Sequence, residues 1–73
     1  MLDKLKEFFD NEYKSTKRWI ESPYGKQYKK EAIKNALQRG LGASFFAQYI
    51  GIEYRDVGEL YEDYKEKIER LGD

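Results

Sequence analysis

Neither cysteine nor histidine occurs among the 73 residues. Without cysteine there is no disulfide and no thiolate metal site. Without histidine the commonest metal ligand is gone, together with the Ser-His and Cys-His couples and the usual pH switch. No apolar run approaches the ~18 residues of a membrane span. The opening stretch, MLDKLKEFFD, carries acid at once and lacks the basic and apolar regions of a signal peptide. The expectation is a soluble, cytoplasmic chain forming one small domain over residues 1–73, at the lower end of what folds alone. No membrane, cofactor, metal or small-molecule substrate is expected among its partners.

Net charge is also absent, because 14 basic residues balance 14 acidic ones. The balance is not local. In residues 1–12, two lysines meet four carboxylates. In residues 13–39, eight cations meet two carboxylates, and in residues 53–73 four cations meet eight. Between these lies GLGASFFAQYIGI, residues 40–52, with no charge at all. A basic middle and an acidic tail either attract each other within the fold or mark one surface for a charged partner.

What is present is helical periodicity. Leu2, Leu5, Phe8, Phe9, Tyr13, Trp19 and Ile20 mark a stripe that predicts a helix over 3–20, with Asp3 as its cap and Ser22-Pro23-Tyr24-Gly25 as its end. Ala32, Ile33, Ala36, Leu37 and Leu41 predict a second helix over about 26–39, closed by Gly40 as a C-terminal glycine. Residues 43–50 read as a short third helix. Val57, Tyr61, Tyr64, Ile68 and Leu71 are spaced 4, 3, 4, 3 and predict a long last helix over about 54–71. Asp63 with Lys67, and Glu66 with Arg70, are favourable pairs one turn apart. Tyr61 and Tyr64 are read as core. The fold class expected is all-α, a bundle of about four helices.

The uncharged block continues into a recognisable spacing. Ala47, Gly51, Ile52, Val57 and Leu60 follow the pattern Ala-x3-Gly-apolar-x4-Val-x2-Leu. Two closely touching helices need a small residue at their contact, and the chain reversal needs a residue that accepts positive φ. GLGASFFAQYIGIEYRDVGEL resembles the helix-turn-helix of Cro and repressor-like DNA-binding domains, over residues 40–60. The alternative is an ordinary buried helical hairpin. The resemblance implies a small regulator of transcription whose second motif helix meets DNA, with Arg55 its one strong base or phosphate contact. The match is imperfect. Gly42 and Glu53 stand where Ser or Thr usually caps. Phe45 and Tyr49 stand at normally polar positions and demand a cover, for which the N-terminal helix is the simplest choice beside the long last helix or a second copy. Glu59, Glu62 and Asp63 would be repelled by phosphates.

A second nucleic-acid candidate is the basic segment, where Lys26, Lys29, Lys30 and Lys34, with the earlier Lys14, Lys17 and Arg18, would form one basic face and Tyr24 and Tyr28 lie among them. Cations suit phosphate and rings suit sugar or base; a solvated helix face is the plainer account. A rival function is protein binding. In it the acidic last helix, through Glu59, Glu62, Asp63 and Glu66 with Phe45 and Tyr49 nearby, occupies the basic surface of a partner that itself binds nucleic acid, as an inhibitor or adaptor would. No enzyme signature survives: GLGASF lacks a third glycine, and a chain this short has little room for a cleft. The unmatched apolar surface leads us to expect a homodimer. Short Lys/Glu/Tyr-rich chains of this kind resemble the small proteins of phages and mobile elements.

Overall fold

The structure, a computed structural model, describes all 73 residues. It contains three α-helices and no strand. α1 spans Leu2–Glu21, α2 Lys29–Tyr49 and α3 Tyr54–Arg70, and a single 3-10 turn, Lys26–Tyr28, precedes α2. Three helices, not four, make the fold. The two helices expected over 26–39 and 43–50 are one continuous helix, which runs through Gly40 and Gly42.

The reason lies across the interface. A Cβ on Gly40 would stand 2.5 Å from Cε2 of Tyr64 and 3.2 Å from Cε1 of Tyr61. Glycine inside a helix costs about 1 kcal/mol relative to alanine. Here the missing methyl is the space into which the Tyr64 ring packs. Ala36, Gly40, Ser44 and Ala47 are the buried residues of α2, a row of small side chains. The Ser44 hydroxyl does not break the ladder, because it donates to the Gly40 carbonyl at 2.8 Å. The helix ends instead at Gly51, the only residue with positive φ, at 102°. There the Ile52 N–H bonds the Ala47 carbonyl at 3.0 Å and the Gly51 N–H bonds that of Gln48 at 3.1 Å. This pair of bonds is the Schellman arrangement, which a glycine adopts without Cβ strain.

α2 runs antiparallel to both neighbours. The Tyr64 hydroxyl reaches the Ala36 carbonyl, and Gly72 stands opposite Ile33, so α2 and α3 lie side by side along their length. Arg39 meets Glu12 at 2.8 Å, the one ion pair between helices. Phe9 stacks on Tyr64, with centroids 4.8 Å apart and planes 28° apart, and touches Tyr61 at 6.4 Å. α1 is therefore parallel to α3, an up-down-up arrangement with short connections. The principal extents are 40 × 17 × 15 Å.

The core is Leu5, Phe9, Ala36, Ala47, Val57, Tyr64 and Ile68, with Tyr13, Ile33, Leu37, Ile52, Leu60, Tyr61 and Leu71 packed on it. The 4-3-4-3 seam of α3 thus faces inward at all five positions. On α1 the stripe divides: Leu5, Phe9 and Ile20 are buried, while Phe8 and Trp19 are exposed. Asp3 does not cap α1. It sits in the first turn and Met1 takes the cap position.

Candidate binding surfaces

The two ends of the bundle differ in chemistry. One end is built from the N-terminus of α1, the C-terminal half of α2 and the start of α3. The other gathers the end of α1, the Ser22–Gly25 turn, the 3-10 turn and the start of α2. The 21 residues of α2 separate them by about 30 Å at 1.5 Å per residue.

The first end is apolar. Ala47 and Ser44 point into the core, yet Phe45, Phe46 and Tyr49 on the same helix, and Tyr54 at the start of α3, are each more than half exposed. At about 150–250 Å² per ring, these four leave on the order of 500 Å² of aromatic surface in water. A monomer ordinarily leaves only a few hundred Å² of contiguous apolar surface uncovered. Leu41, Phe45 and Tyr49 follow one another at four-residue spacing along the outward side of α2. The pairing of Gly40 with Tyr61 and Tyr64, continued along antiparallel helices, sets Phe45 level with Gly58 and Tyr49 level with Tyr54. On the other side of α2, Phe46 and Ile50 line a groove of about 580 Å³ with Leu5, Phe8, Ala43 and Ile52. Lys4 and the Glu12–Arg39 pair stand at its edge. The C-terminal half of α2 is thus apolar nearly all round, which in a helix is the mark of one that is covered.

Beside this end runs the outward face of α3, with Arg55, Glu59, Glu62, Asp63, Lys65, Glu66 and Glu69. Asp63 pairs with Lys67 at 3.4 Å and Glu66 with Arg70. Glu59, Glu62 and Glu69 have no cation within 4.0 Å.

The second end is basic. Lys17, Arg18, Lys26, Lys29, Lys30 and Lys34 have no carboxylate within 4.0 Å, whereas Lys14 is held by Asp10 at 2.9 Å. No ion pair joins this segment to α3, so attraction between the basic middle and acidic tail is not expressed as contacts. Lys26 lies in the 3-10 turn, outside α2, so the expected row of Lys26, Lys30 and Lys34 on one helix is cut to the last two. Trp19, Tyr24 and Tyr28 are exposed at the same end. The sequence reading placed Trp19 in the core stripe and so missed it. The signal was the spacing to Thr16 and Ile20, the buried positions of the second half of α1: Trp19 lies about 100° from Ile20 around the helix and falls at the edge of that stripe.

The residues singled out in the sequence therefore fall into separate groups. Lys26, Lys29, Lys30 and Lys34 share the basic end. Arg55 lies at the opposite end of the bundle, on the acidic helix. Glu59, Glu62, Asp63 and Glu66 share the outward face of α3, and Phe45 and Tyr49 flank it across the α2–α3 seam. Ala47 and Val57 of the helix-turn-helix spacing are core, with Ile52 and Leu60 packed against them. No helix is long and apolar enough to cross a membrane.

No protein-family model, curated protein or solved structure matches the chain.

The one strongly perturbed ionisable group is inside the bundle, at neither end. Burial pushes the Tyr64 phenol up to about 12, with Glu12 adding to the shift and Arg39 opposing it.

Proposed function

We propose that this chain is a non-enzymatic binding protein whose contact surface is the apolar end and the adjoining carboxylates of α3. One observation carries the reading: thirteen consecutive uncharged residues, 40–52, form the C-terminal half of α2 and the turn after it, and the rings of that helix half face water on two sides. Interfaces of this kind have an apolar, aromatic centre and a polar rim. Here the centre is Leu41, Phe45, Tyr49 and Tyr54. The rim is acidic, through Glu59, Glu62 and Asp63. The complementary partner has an apolar patch edged with lysine or arginine, and a protein whose own ligand is nucleic acid offers such an edge. Inhibition or adaptation of such a partner follows from occupying it.

The likeness of residues 40–60 to Cro-like domains bears on architecture in this reading. Ala47 and the Gly51 turn serve helix packing. DNA reading by α3 would bring Glu59, Glu62, Asp63, Glu66 and Glu69 toward phosphates, with only Arg55 and Lys65 to offset them.

The test is site-specific photocrosslinking in the cells that express the chain. A benzophenone side chain at position 45 or 49 is expected to capture one protein, and the same group at position 38, further along α2 toward its basic start, is expected to capture none. The captured species should disappear for a Glu59→Gln, Glu62→Gln, Asp63→Gln triple variant. A crosslinked product of twice the chain mass assigns the apolar end to a homodimer instead. Absence of any product at both 45 and 49 overturns the reading.

A further inference from the structure

The basic end carries a second site, independent of the apolar one. We propose that it binds single-stranded nucleic acid, with Trp19, Tyr24 and Tyr28 stacking on bases and Lys17, Arg18, Lys26, Lys29, Lys30 and Lys34 holding phosphates.

The rings stand on a built turn. The Ser22 hydroxyl donates to the Trp19 carbonyl at 2.6 Å and accepts the Gly25 N–H at 3.0 Å. The Lys26 N–H reaches the Ser22 carbonyl at 3.1 Å, and the Tyr28 N–H reaches that of Gly25 at 2.8 Å. Gly25 itself is pressed under the tryptophan: a Cβ there would lie 2.0 Å from the Trp19 carbonyl oxygen and 2.7 Å from indole Cδ2. These bonds fix the backbone positions from which the tryptophan and the two tyrosines project before any ligand arrives. Pre-ordered groups lose less freedom on binding. Yet the three rings remain 45%, 78% and 47% exposed, in the order Trp19, Tyr24, Tyr28.

The charges at this end are open in the same sense. Four cations elsewhere in the molecule find carboxylates, Lys14, Arg39, Lys67 and Arg70. The six at the basic end find none, although Glu21 and Glu31 are close in sequence, Glu69 lies in the last turn of α3 and Asp73 just beyond it. Unpaired cations alone fit any polyanion. Rings between them narrow the choice, because a base offers a π-face and a sulfated sugar does not. In a duplex those faces are buried in the stack, so the ligand is single-stranded. A lipid surface fits less well. No leucine, isoleucine, phenylalanine or methionine is exposed at this end, whereas a helix lying in a membrane interface carries an apolar face.

Trp19 is the only tryptophan, so its fluorescence reports the site directly. The full chain is titrated with a fifteen-nucleotide oligothymidylate, the matching duplex, heparin and phosphatidylserine vesicles. Quenching of Trp19 by the single strand is expected, with weaker binding of the duplex. With about four phosphates neutralised, affinity should fall roughly 50-fold between about 50 and about 200 mM salt. Tyr24→Ala with Tyr28→Ala should weaken oligonucleotide binding at least 10-fold and leave heparin binding unchanged. Lys26→Glu with Lys30→Glu should weaken both, and circular dichroism confirms that each variant keeps its helices. Four results would overturn the proposal: no quenching by the oligonucleotide at low salt, tighter binding of the duplex, tyrosine variants that bind the oligonucleotide as wild type does, or quenching by vesicles alone.

Discussion

The Tyr64 hydroxyl donates a 2.7 Å hydrogen bond to the carbonyl of Ala36, 28 residues away in the sequence and one helix across. The bond is buried, and the ring that carries it lies over Gly40 and against Phe9. Two substitutions separate the ring from its hydroxyl. Tyr64→Phe keeps the packing and should cost about 0.5–1.5 kcal/mol, because the Ala36 carbonyl retains its helical partner. Gly40→Ala should cost about 1–3 kcal/mol through overpacking, although alanine is the better helix former. Chemical denaturation of both variants measures the difference. A Gly40→Ala protein as stable as wild type would remove the close α2–α3 approach as the reason for this glycine.

The same phenol makes one pH-dependent contribution to stability in the alkaline range. In the unfolded chain tyrosine ionises near about 10, and in the folded chain Tyr64 holds its proton to about 12. Its contribution to stability is therefore complete below about pH 10 and disappears as pH rises through about 12. One of the seven tyrosines should titrate late in an absorbance titration at 295 nm. Tyr64→Phe should flatten the loss of stability across that window, and an unchanged slope would clear Tyr64 of responsibility.

Thr16 is buried on α1, and its hydroxyl has no hydrogen-bond partner. A buried polar group left unpaired costs about 1–3 kcal/mol. Thr16→Val keeps the branched shape and removes the orphan, so it should raise stability by about 1 kcal/mol. A lower melting temperature for this variant would show that the hydroxyl has a partner after all, a bound water being the first to look for.

The corner between α2 and α3 has one residue that suits it and one that does not. Gly51 at φ 102° tolerates no β-branched replacement without strain, and Gly51→Val should cost about 1–3 kcal/mol. Glu53 takes the cap position of α3 and makes no side-chain cap bond. Glu53→Ser should stabilise the fold by about 0.5–1 kcal/mol, since serine can accept an unpaired N–H of the first turn. Thermal melts of the two variants should move in opposite directions.

The sequence was most legible where a pattern ran long without interruption. The α3 seam and the Asp63–Lys67 and Glu66–Arg70 pairs could be read directly, because each depends only on positions within one helix. The Gly51 corner was legible for a similar reason: the turn needs a positive φ and only glycine supplies it cheaply. Gly40 misled for the opposite reason. Its role is set by a tyrosine 24 positions later, and local helix rules treat it as a stop. The expected site scattered because charge was counted along the chain. Arg55 and the lysines of 26–34 belong to opposite ends of a rod, and no local spacing reveals that. Trp19 joined the basic end only once the turn folded Gly25 beneath it.

The 40 Å length of the bundle has a further consequence. The Phe45–Tyr49 side and the Trp19 turn share no residue, so on the two proposed readings the ligands would not compete for the same contacts. On those readings a helical rod with unlike ends would serve as a spacer. It would hold what is gripped at the aromatic tip at a fixed distance from what is gripped at the lysine tip, a length set by the number of helical turns in α2.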